Sequence, residues 1–509
     1  MVNHSYSAQE EPGELVHGLL DAAAGEAPDS PAVRDSSGVW TYRQLHAYSL
    51  AFARWLRAQG VGRGDRVVLQ LPTGRELAAM FYGAARCGAV FVPVNPRMKP
   101  FHLRHVVANA EPKLLVGDAA TAGGLREFAG QVHLLDGLWA EVEELLDGED
   151  RFEPESVRPG DVATLIYTSG STAAPKAVVC PHAQVTFASR ALTEALGYRS
   201  DDVVFCRFPM SWDYGLYKVV MTCVARCEIV LADRESDLLL LRRMRETGAT
   251  VVPIVPSFAS MLLTLSRRSG GAPPPVRIFT NTGAALPQST IDGLREHFPG
   301  VRVVRQYGQT EAKRITVMPP EEDQERPDSV GLPLPGTRVL ILDANGREVP
   351  PGEVGEIVAV GPHVMPGYWN SPETTAQAFR RLAGTGSPCL HTGDYGYLDA
   401  DGYLYFRGRR DDMFKRKGFR MSTLEIEDAA MDIPGVRAAA VLPPGEKHDL
   451  ALFVESDLPP STVLKEMAAR LEPAKVPAVC RVLTDFPLTQ HGKNARQELT
   501  ALLLEGSGE

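Results

Sequence analysis

Val162-Ala163-Thr164-Leu165-Ile166-Tyr167 runs without a break into Thr168-Ser169-Gly170-Ser171-Thr172-Ala173-Ala174-Pro175-Lys176, an apolar strand followed by a turn of hydroxyls, glycine and one lysine. The apolar run reads as a buried strand of a mostly parallel sheet. The turn offers hydroxyls and freed backbone N–H groups to phosphate oxygens, and Lys176 adds a point charge. The Gly-x4-Gly-Lys-Ser/Thr order of a Walker A loop is absent. Taken alone, such a run also reads as a surface loop.

Outward from this stretch, similar apolar runs recur at Lys113–Val116, Val203–Phe208, Thr250–Val255 and Val301–Gln306, each followed by turn residues and a helical pattern. Ahead of it, Thr41 is placed to cap a helix from Tyr42 to Arg57, Asp65–Leu71 reads as a strand, and Gly88–Val94 joins a helix end to the next strand. The pattern predicts α/β architecture built from βα units. From Gly331 to Tyr368 it changes to short β segments between Pro/Gly turns, a small β subdomain. A polar segment, Gly408-Arg409-Arg410-Asp411-Asp412, then leads into about a hundred residues of compact α+β texture. We therefore expect a large N-terminal domain, 1–410, and a small C-terminal domain, 411–509.

A chain of 509 residues with 44% hydrophobic and 23% charged residues has the composition of a folded enzyme of more than one domain. Its formal charge of −10 provides no basic field for nucleic acid or an anionic membrane. Met1 to Gly13 lacks the profile of a signal peptide, and no run reaches the length of a membrane span. Seven cysteines point to reduced thiols and a cytoplasmic location. Cys223 and Cys227 have no companion Cys/His pair at zinc spacing and read as core.

Four further segments accompany the Thr/Ser/Gly turn in a fixed order: Tyr307-Gly308-Gln309-Thr310-Glu311, His391-Thr392-Gly393-Asp394, Gly408-Arg409 and Pro487-Leu488-Thr489-Gln490-His491-Gly492-Lys493. Together they resemble the signatures of the adenylate-forming superfamily, which includes acyl-CoA synthetases, luciferases and nonribosomal peptide synthetase adenylation domains. The resemblance covers about Leu15 to Leu503. It implies that Thr168, Ser169, Gly170, Ser171, Thr172 and Lys176 hold the phosphates of ATP, that Tyr307 and Gly308 face the adenine, that Thr310 contacts phosphate and that Glu311 helps hold Mg²⁺. Asp394 and Arg409 would bind the ribose. Lys493 would bridge the acid and the α-phosphate during attack, where two anions must be brought together. It also implies a mobile C-terminal domain that rotates between adenylation and thiol transfer, with Asp411 at the hinge and Lys417 and Gly418 swinging toward the thiol. Ala173 and Ala177 stand where the family has glycine, which stiffens the turn if either position needs positive φ.

The same match makes Phe208-Pro209-Met210-Ser211-Trp212-Asp213-Tyr214-Gly215 part of the acyl pocket, with an aspartate where amino-acid-activating members have one. A buried carboxylate needs a cation, and a substrate ammonium group is one candidate. Pairing with Lys218, or capping a helix at Tyr214, is the other reading. Trp212, Tyr214, Tyr217, Thr280, Thr282, Gly283, Gln306, Arg314 and Ile315 would line the pocket, leaving room for a small polar acid. Arg314 either meets a second carboxylate or is neutralised by Asp213 or Glu311. Lys313-Arg314 resembles stand-alone enzymes that load amino acids onto carrier proteins. The expected activity is ATP-dependent formation of an aminoacyl adenylate and transfer to the phosphopantetheine thiol of a free-standing acyl carrier protein. An acyl- or aryl-CoA ligase is the alternative, and a binding protein that has kept the fold without catalysis is the reading from a different class.

Overall fold

The computed structural model describes residues 14–128, 132–146, 156–168, 175–232, 236–268, 271–382, 384–409, 413–416, 419–445, 448–471, 473, 475–484, 486–487 and 495–505. The fold is mixed α/β, with a large N-terminal region of two helix-covered sheets and a smaller C-terminal domain. In the first sheet the order is His133–Leu134, Leu114–Gly117, Arg66–Gln70, Val90–Pro93, Val162–Thr168 and Lys176–Pro181. All neighbours run parallel except the last pair. The stretch that opens the sequence reading is therefore an antiparallel hairpin, with Tyr167 opposite Ala177 and Thr168 opposite Lys176. This corrects the expectation that the run Val162–Tyr167 leads through turn residues into a helix, because a second strand, Lys176–Pro181, precedes helix His182–Ala195. Ala177 takes extended backbone in the second strand, so its methyl group sits at no position of positive φ.

The second sheet carries Leu332–Pro333, Thr316–Val317, Arg302–Tyr307, Ile278–Asn281, Val251–Ile254, Val203–Cys206, Glu228–Leu231, Pro31–Asp35 and Gly38–Thr41, in that order. The six strands from Arg302–Tyr307 to Pro31–Asp35 are parallel, and strands at both edges pair antiparallel. Helix Tyr42–Ala58 shows how local sequence meets global packing. Thr41 and Gln44 form a capping box, and Tyr42, Leu45, Ser49, Phe52 and Leu56 bury one face at three- and four-residue spacing. The Tyr42 hydroxyl donates to the carbonyls of Thr222 and Cys227, 2.8 and 2.7 Å away, and so fixes the far end of helix Asp213–Ala225.

An antiparallel sheet formed by Arg338–Leu342, Gly355–Val360, Pro388–Leu398, Phe379–Arg381 and Leu404–Arg409 follows. The β subdomain thus extends well past Tyr368, because Pro388–Leu398 is its central strand. The C-terminal domain builds its own core on a three-stranded sheet, Val436–Leu442, Ala451–Ser456 and Val479–Leu483, covered by helices Thr423–Met431, Pro460–Arg470 and Arg496–Glu505. Among the described residues no helix is long and apolar enough to cross a membrane.

Candidate active site

Strand Arg302–Tyr307 ends where the two larger sheets and the β subdomain converge, and its last residue joins them chemically. The Tyr307 hydroxyl donates to Asp394 Oδ2 at 2.7 Å. Gln309 Nε2 donates to the same oxygen at 2.9 Å and to the Thr392 carbonyl at 2.8 Å. Arg409 Nε reaches Asp394 Oδ1 at 3.1 Å from a side chain that is otherwise largely solvated. Burial, reinforced by the Asp394 charge, pushes the Tyr307 phenol well above its ordinary range, so it remains a hydrogen-bond donor. Tyr307, Asp394 and Arg409, separated in sequence, are thus brought together.

Beside this cluster, the Tyr368 hydroxyl donates to Glu311 Oε1 at 2.7 Å, and the Glu311 carbonyl accepts from Met365 N at 2.9 Å. Lys176 Nζ lies 5.7 Å from the Tyr368 ring centroid. Thr168 Oγ1 donates to the Lys176 carbonyl at 3.4 Å, across the base of the hairpin. Glu311 and Lys176, 135 residues apart, therefore share Tyr368, a residue that the sequence reading passed over. Oε2 of Glu311 is the oxygen left for a hard cation, and a carboxylate oriented by a phenol fits the oxygen-ligand chemistry of Mg²⁺.

The residues expected to line the acid pocket gather at the start of helix Asp213–Ala225. That start is possible because residue 215 is glycine: a Cβ there would lie 2.3 Å from the Pro209 carbonyl oxygen. Asp213 has only 18% of its side chain exposed and is paired from the opposite wall. Lys313 Nζ donates to Asp213 Oδ2 at 3.0 Å and to its carbonyl at 2.8 Å, and Arg314 Nη1 stands 3.8 Å from the same carboxylate. Arg314 also donates to Gln306 Oε1 at 3.1 Å. Burial opposes ionisation of Asp213, but the charges of Lys313 and Arg314 outweigh it and hold the carboxyl below its usual range. Burial lowers Lys313 itself to about 7, assisted by Arg314 and opposed by Asp213.

Aromatic rings floor this triad. Lys313 Nζ is 4.3 Å from the Tyr217 centroid, and Arg314 is 5.0 Å from that of Tyr214. The Tyr214 hydroxyl donates to the Thr280 carbonyl at 2.5 Å. Thr282 is buried at the end of the neighbouring strand and Gly283 follows with φ of +88°. Trp212 stacks loosely on Phe208 with centroids 6.2 Å apart, just outside the helix start. Ile315 is fully buried in an apolar cluster with Tyr307, Ala312, Val339 and Ile357.

The same geometry decides one alternative for Asp213, while the backbone N–H of Tyr214 at the helix start also favours its charged form. Lys218 is not its partner. Its Nζ donates to the Tyr198 hydroxyl at 3.1 Å, and burial pushes it well below the ordinary lysine range. Lys313, which is the partner, was quoted in the sequence reading only as a neighbour of Arg314. Its φ of +53° at a tight turn is the feature that turns its side chain inward. Ser169, Gly170, Ser171, Thr172, Asp411, Lys417, Gly418 and Lys493 lie outside the described residues.

Comparison with known proteins places this geometry in context. Residues 20–369 match the model of the AMP-binding enzyme family. CymA of Salinispora arenicola, a probable non-canonical nonribosomal peptide synthetase, is 32% identical over 96% of the chain, which spans only 6% of CymA's length. Syringomycin synthase SyrB1 of Pseudomonas syringae is 30% identical, with 97% of this chain and 82% of SyrB1 aligned. A 3-hydroxybenzoate–CoA ligase of Aromatoleum is 31% identical over 94% of both proteins. Among solved structures, VinN is 54% identical with a TM-score of 0.75, over 78% of this chain and all of VinN. ATP-bound MatB of Rhodopseudomonas palustris is 27% identical with a TM-score of 0.86, over 96% of this chain and 99% of MatB. With the hairpin, the Tyr307–Asp394–Arg409 cluster and the Glu311–Tyr368 pair already assembled at one strand end, these matches make the chain a member of the AMP-binding enzyme family.

Proposed function

We propose that the chain activates a small amino acid bearing a second carboxylate, using ATP and Mg²⁺, and passes the aminoacyl group from its adenylate to the phosphopantetheine thiol of a free-standing acyl carrier protein. The observation that carries this reading is the charge balance of the acid pocket. Asp213 brings one negative charge against the two cationic side chains that face it, Lys313 in its protonated form and Arg314, while Lys218 is turned away onto the Tyr198 hydroxyl. A buried surplus of one positive charge calls for a ligand of net charge −1. An aspartate-like acid, with two carboxylates and one ammonium, has that charge. Its ammonium meets Asp213, and one carboxylate takes Lys313 and Arg314, the latter through its guanidinium fork. The other carboxylate is left to attack ATP.

Complexes of VinN have been solved with L-aspartate and with 3-methylaspartate, at 53% and 50% identity to this chain, which supports the same substrate class here. In this reading Thr168, Ser169, Gly170, Ser171, Thr172, Thr310 and Lys176 hold the phosphates, and Glu311 with Tyr368 orients Mg²⁺. Tyr307 and Gly308 face the adenine, Asp394 and Arg409 hold the ribose, and Lys493 neutralises the attacking acid. Residues 411–509, pivoting at Asp411, bring Lys417 and Gly418 to the thiol step.

Pyrophosphate exchange with L-aspartate, 3-methylaspartate, L-asparagine, L-alanine and succinate tests the substrate class. Exchange should be strongest with the two acidic amino acids. Equal exchange with alanine would remove the role of Lys313 and Arg314, and exchange with succinate above aspartate would remove that of Asp213. The full-length match to a CoA ligase favours CoA as a second possible acceptor. Product analysis with CoA and carrier protein side by side separates the two.

A further inference from the structure

The chain carries a formal charge of −10, yet one helix presents a positive and aromatic face. Helix Pro100–Ala110 buries Leu103, Val106, Val107 and Ala110 and turns Phe101, Arg104 and His105 to solvent. Arg97 and Lys99 are exposed immediately before it. Phe101 is 61% exposed, and the rings of His102 and His105 lie 5.2 and 5.1 Å from it. The apolar stripe of this helix is complete without Phe101, so core packing does not explain a large ring in water. An aromatic centre rimmed by arginine and lysine has the make-up of a binding surface. The acidic groups near it are few: Glu127 is exposed beside Phe128, whose ring lies 5.8 Å from Arg104, and Glu111 is paired with Arg66 at 3.8 Å.

The far end of the same helix touches the candidate active site. Tyr167, which leads into the phosphate turn, donates its hydroxyl to Asn109 Oδ1 at 2.8 Å and to the Val106 carbonyl at 3.3 Å. Asn370, two residues after Tyr368, donates to the Asn109 carbonyl at 3.2 Å. From Phe101 to Asn109 the helix advances about 12 Å at 1.5 Å per residue. A pantetheine chain lying along it would span the distance from the exposed face to the strand end that carries Tyr167.

We propose that the face formed by Phe101, Arg104, Lys99 and Arg97 docks an acidic helix of the carrier protein, with the anionic phosphodiester of its prosthetic arm toward the basic start of helix Pro100–Ala110. The inference rests on the carrier-loading reading above. The partner is acidic because three exposed cations, Arg97, Lys99 and Arg104, lie within four residues of Phe101, and opposite charge speeds encounter and fixes register.

The test compares wild type with a Phe101→Ser/Arg104→Glu double variant and a Lys99→Glu variant, using a panel of phosphopantetheinylated acyl carrier proteins and free pantetheine as acceptors. Pyrophosphate exchange should stay within about twofold of wild type, which also reports intact folding. Loading of the carrier should fall at least tenfold in kcat/KM, chiefly through KM, and lose much of its salt dependence. Transfer to free pantetheine should not change. Unimpaired carrier loading by both variants, or an equal loss with free pantetheine, overturns the docking face while leaving carrier loading itself intact. A wild-type enzyme that loads none of the carriers refutes the functional reading and the docking face together.

Discussion

Lys313 Nζ donates to both the backbone carbonyl and Oδ2 of Asp213, so a single side chain joins residues 100 positions apart. Lys313→Met keeps the length of the side chain and removes the charge. KM for an acidic amino acid should rise by about two orders of magnitude, the scale of losing one partner of a desolvated ion pair. KM for asparagine should change far less. Pyrophosphate exchange kinetics check this, and parallel losses for both substrates would mean that Lys313 serves only the architecture.

The same residue predicts a proton linkage. Because burial brings Lys313 to about 7, its cation is lost as pH rises through neutrality, while Asp213, held below its usual range, stays ionised. A bound carboxylate favours the charged lysine, so substrate binding should take up protons above pH 7 and weaken between pH 7 and 8.5. Calorimetry in buffers of different ionisation enthalpy measures the uptake. Binding with no proton uptake across that interval would contradict the assignment.

Tyr368→Phe leaves Glu311 without the phenol that fixes Oε1. A hydrogen bond to a charged group is worth about 1.5–3 kcal/mol, so adenylation should slow by roughly ten- to a hundredfold. The magnesium concentration needed for half-maximal rate should increase, while thiol transfer from supplied adenylate changes little. Half-reaction assays at graded magnesium distinguish this from general damage.

Gly308→Ala should be costly. A Cβ at 308 would sit 2.7 Å from Arg314 Cα and 3.0 Å from the Lys313 carbonyl, both backbone atoms that have no rotamer to yield. Overpacking of this kind destabilises by about 1–3 kcal/mol. The displaced turn should also widen the separation of Lys313 from Asp213. We expect a lower melting temperature together with loss of selectivity for acidic over neutral amino acids, read by thermal unfolding and the exchange panel.

Features written in contiguous residues were legible in the sequence. The helix that Thr41 caps appears at Tyr42–Ala58, and the strand expected at Val301–Gln306 appears at Arg302–Tyr307. Tyr307, Asp394 and Arg409, singled out as separate segments, do meet at one carboxylate. What escaped depended on contacts that no local pattern records. The hairpin after Tyr167 is antiparallel because Lys176–Pro181 returns to the edge of the sheet, which periodicity cannot distinguish from a turn into a helix. Lys313 faces Asp213 through a positive φ at a non-glycine residue, a conformation that composition does not announce. Tyr368 acts through a hydroxyl on a residue whose ring alone would mark it as core.

With Asp394 holding the ribose, as proposed above, its resident partners bear on how one sugar is distinguished from another. A carboxylate has about four lone-pair sites, and Tyr307, Gln309 and Arg409 already engage three of them. The paired hydroxyls of an incoming ribose can therefore both be accommodated only if a resident donor steps aside, so arrival of the nucleotide is an exchange of partners. Removing one hydroxyl from the sugar spares that exchange, and deoxyadenosine triphosphate should be accepted with little penalty.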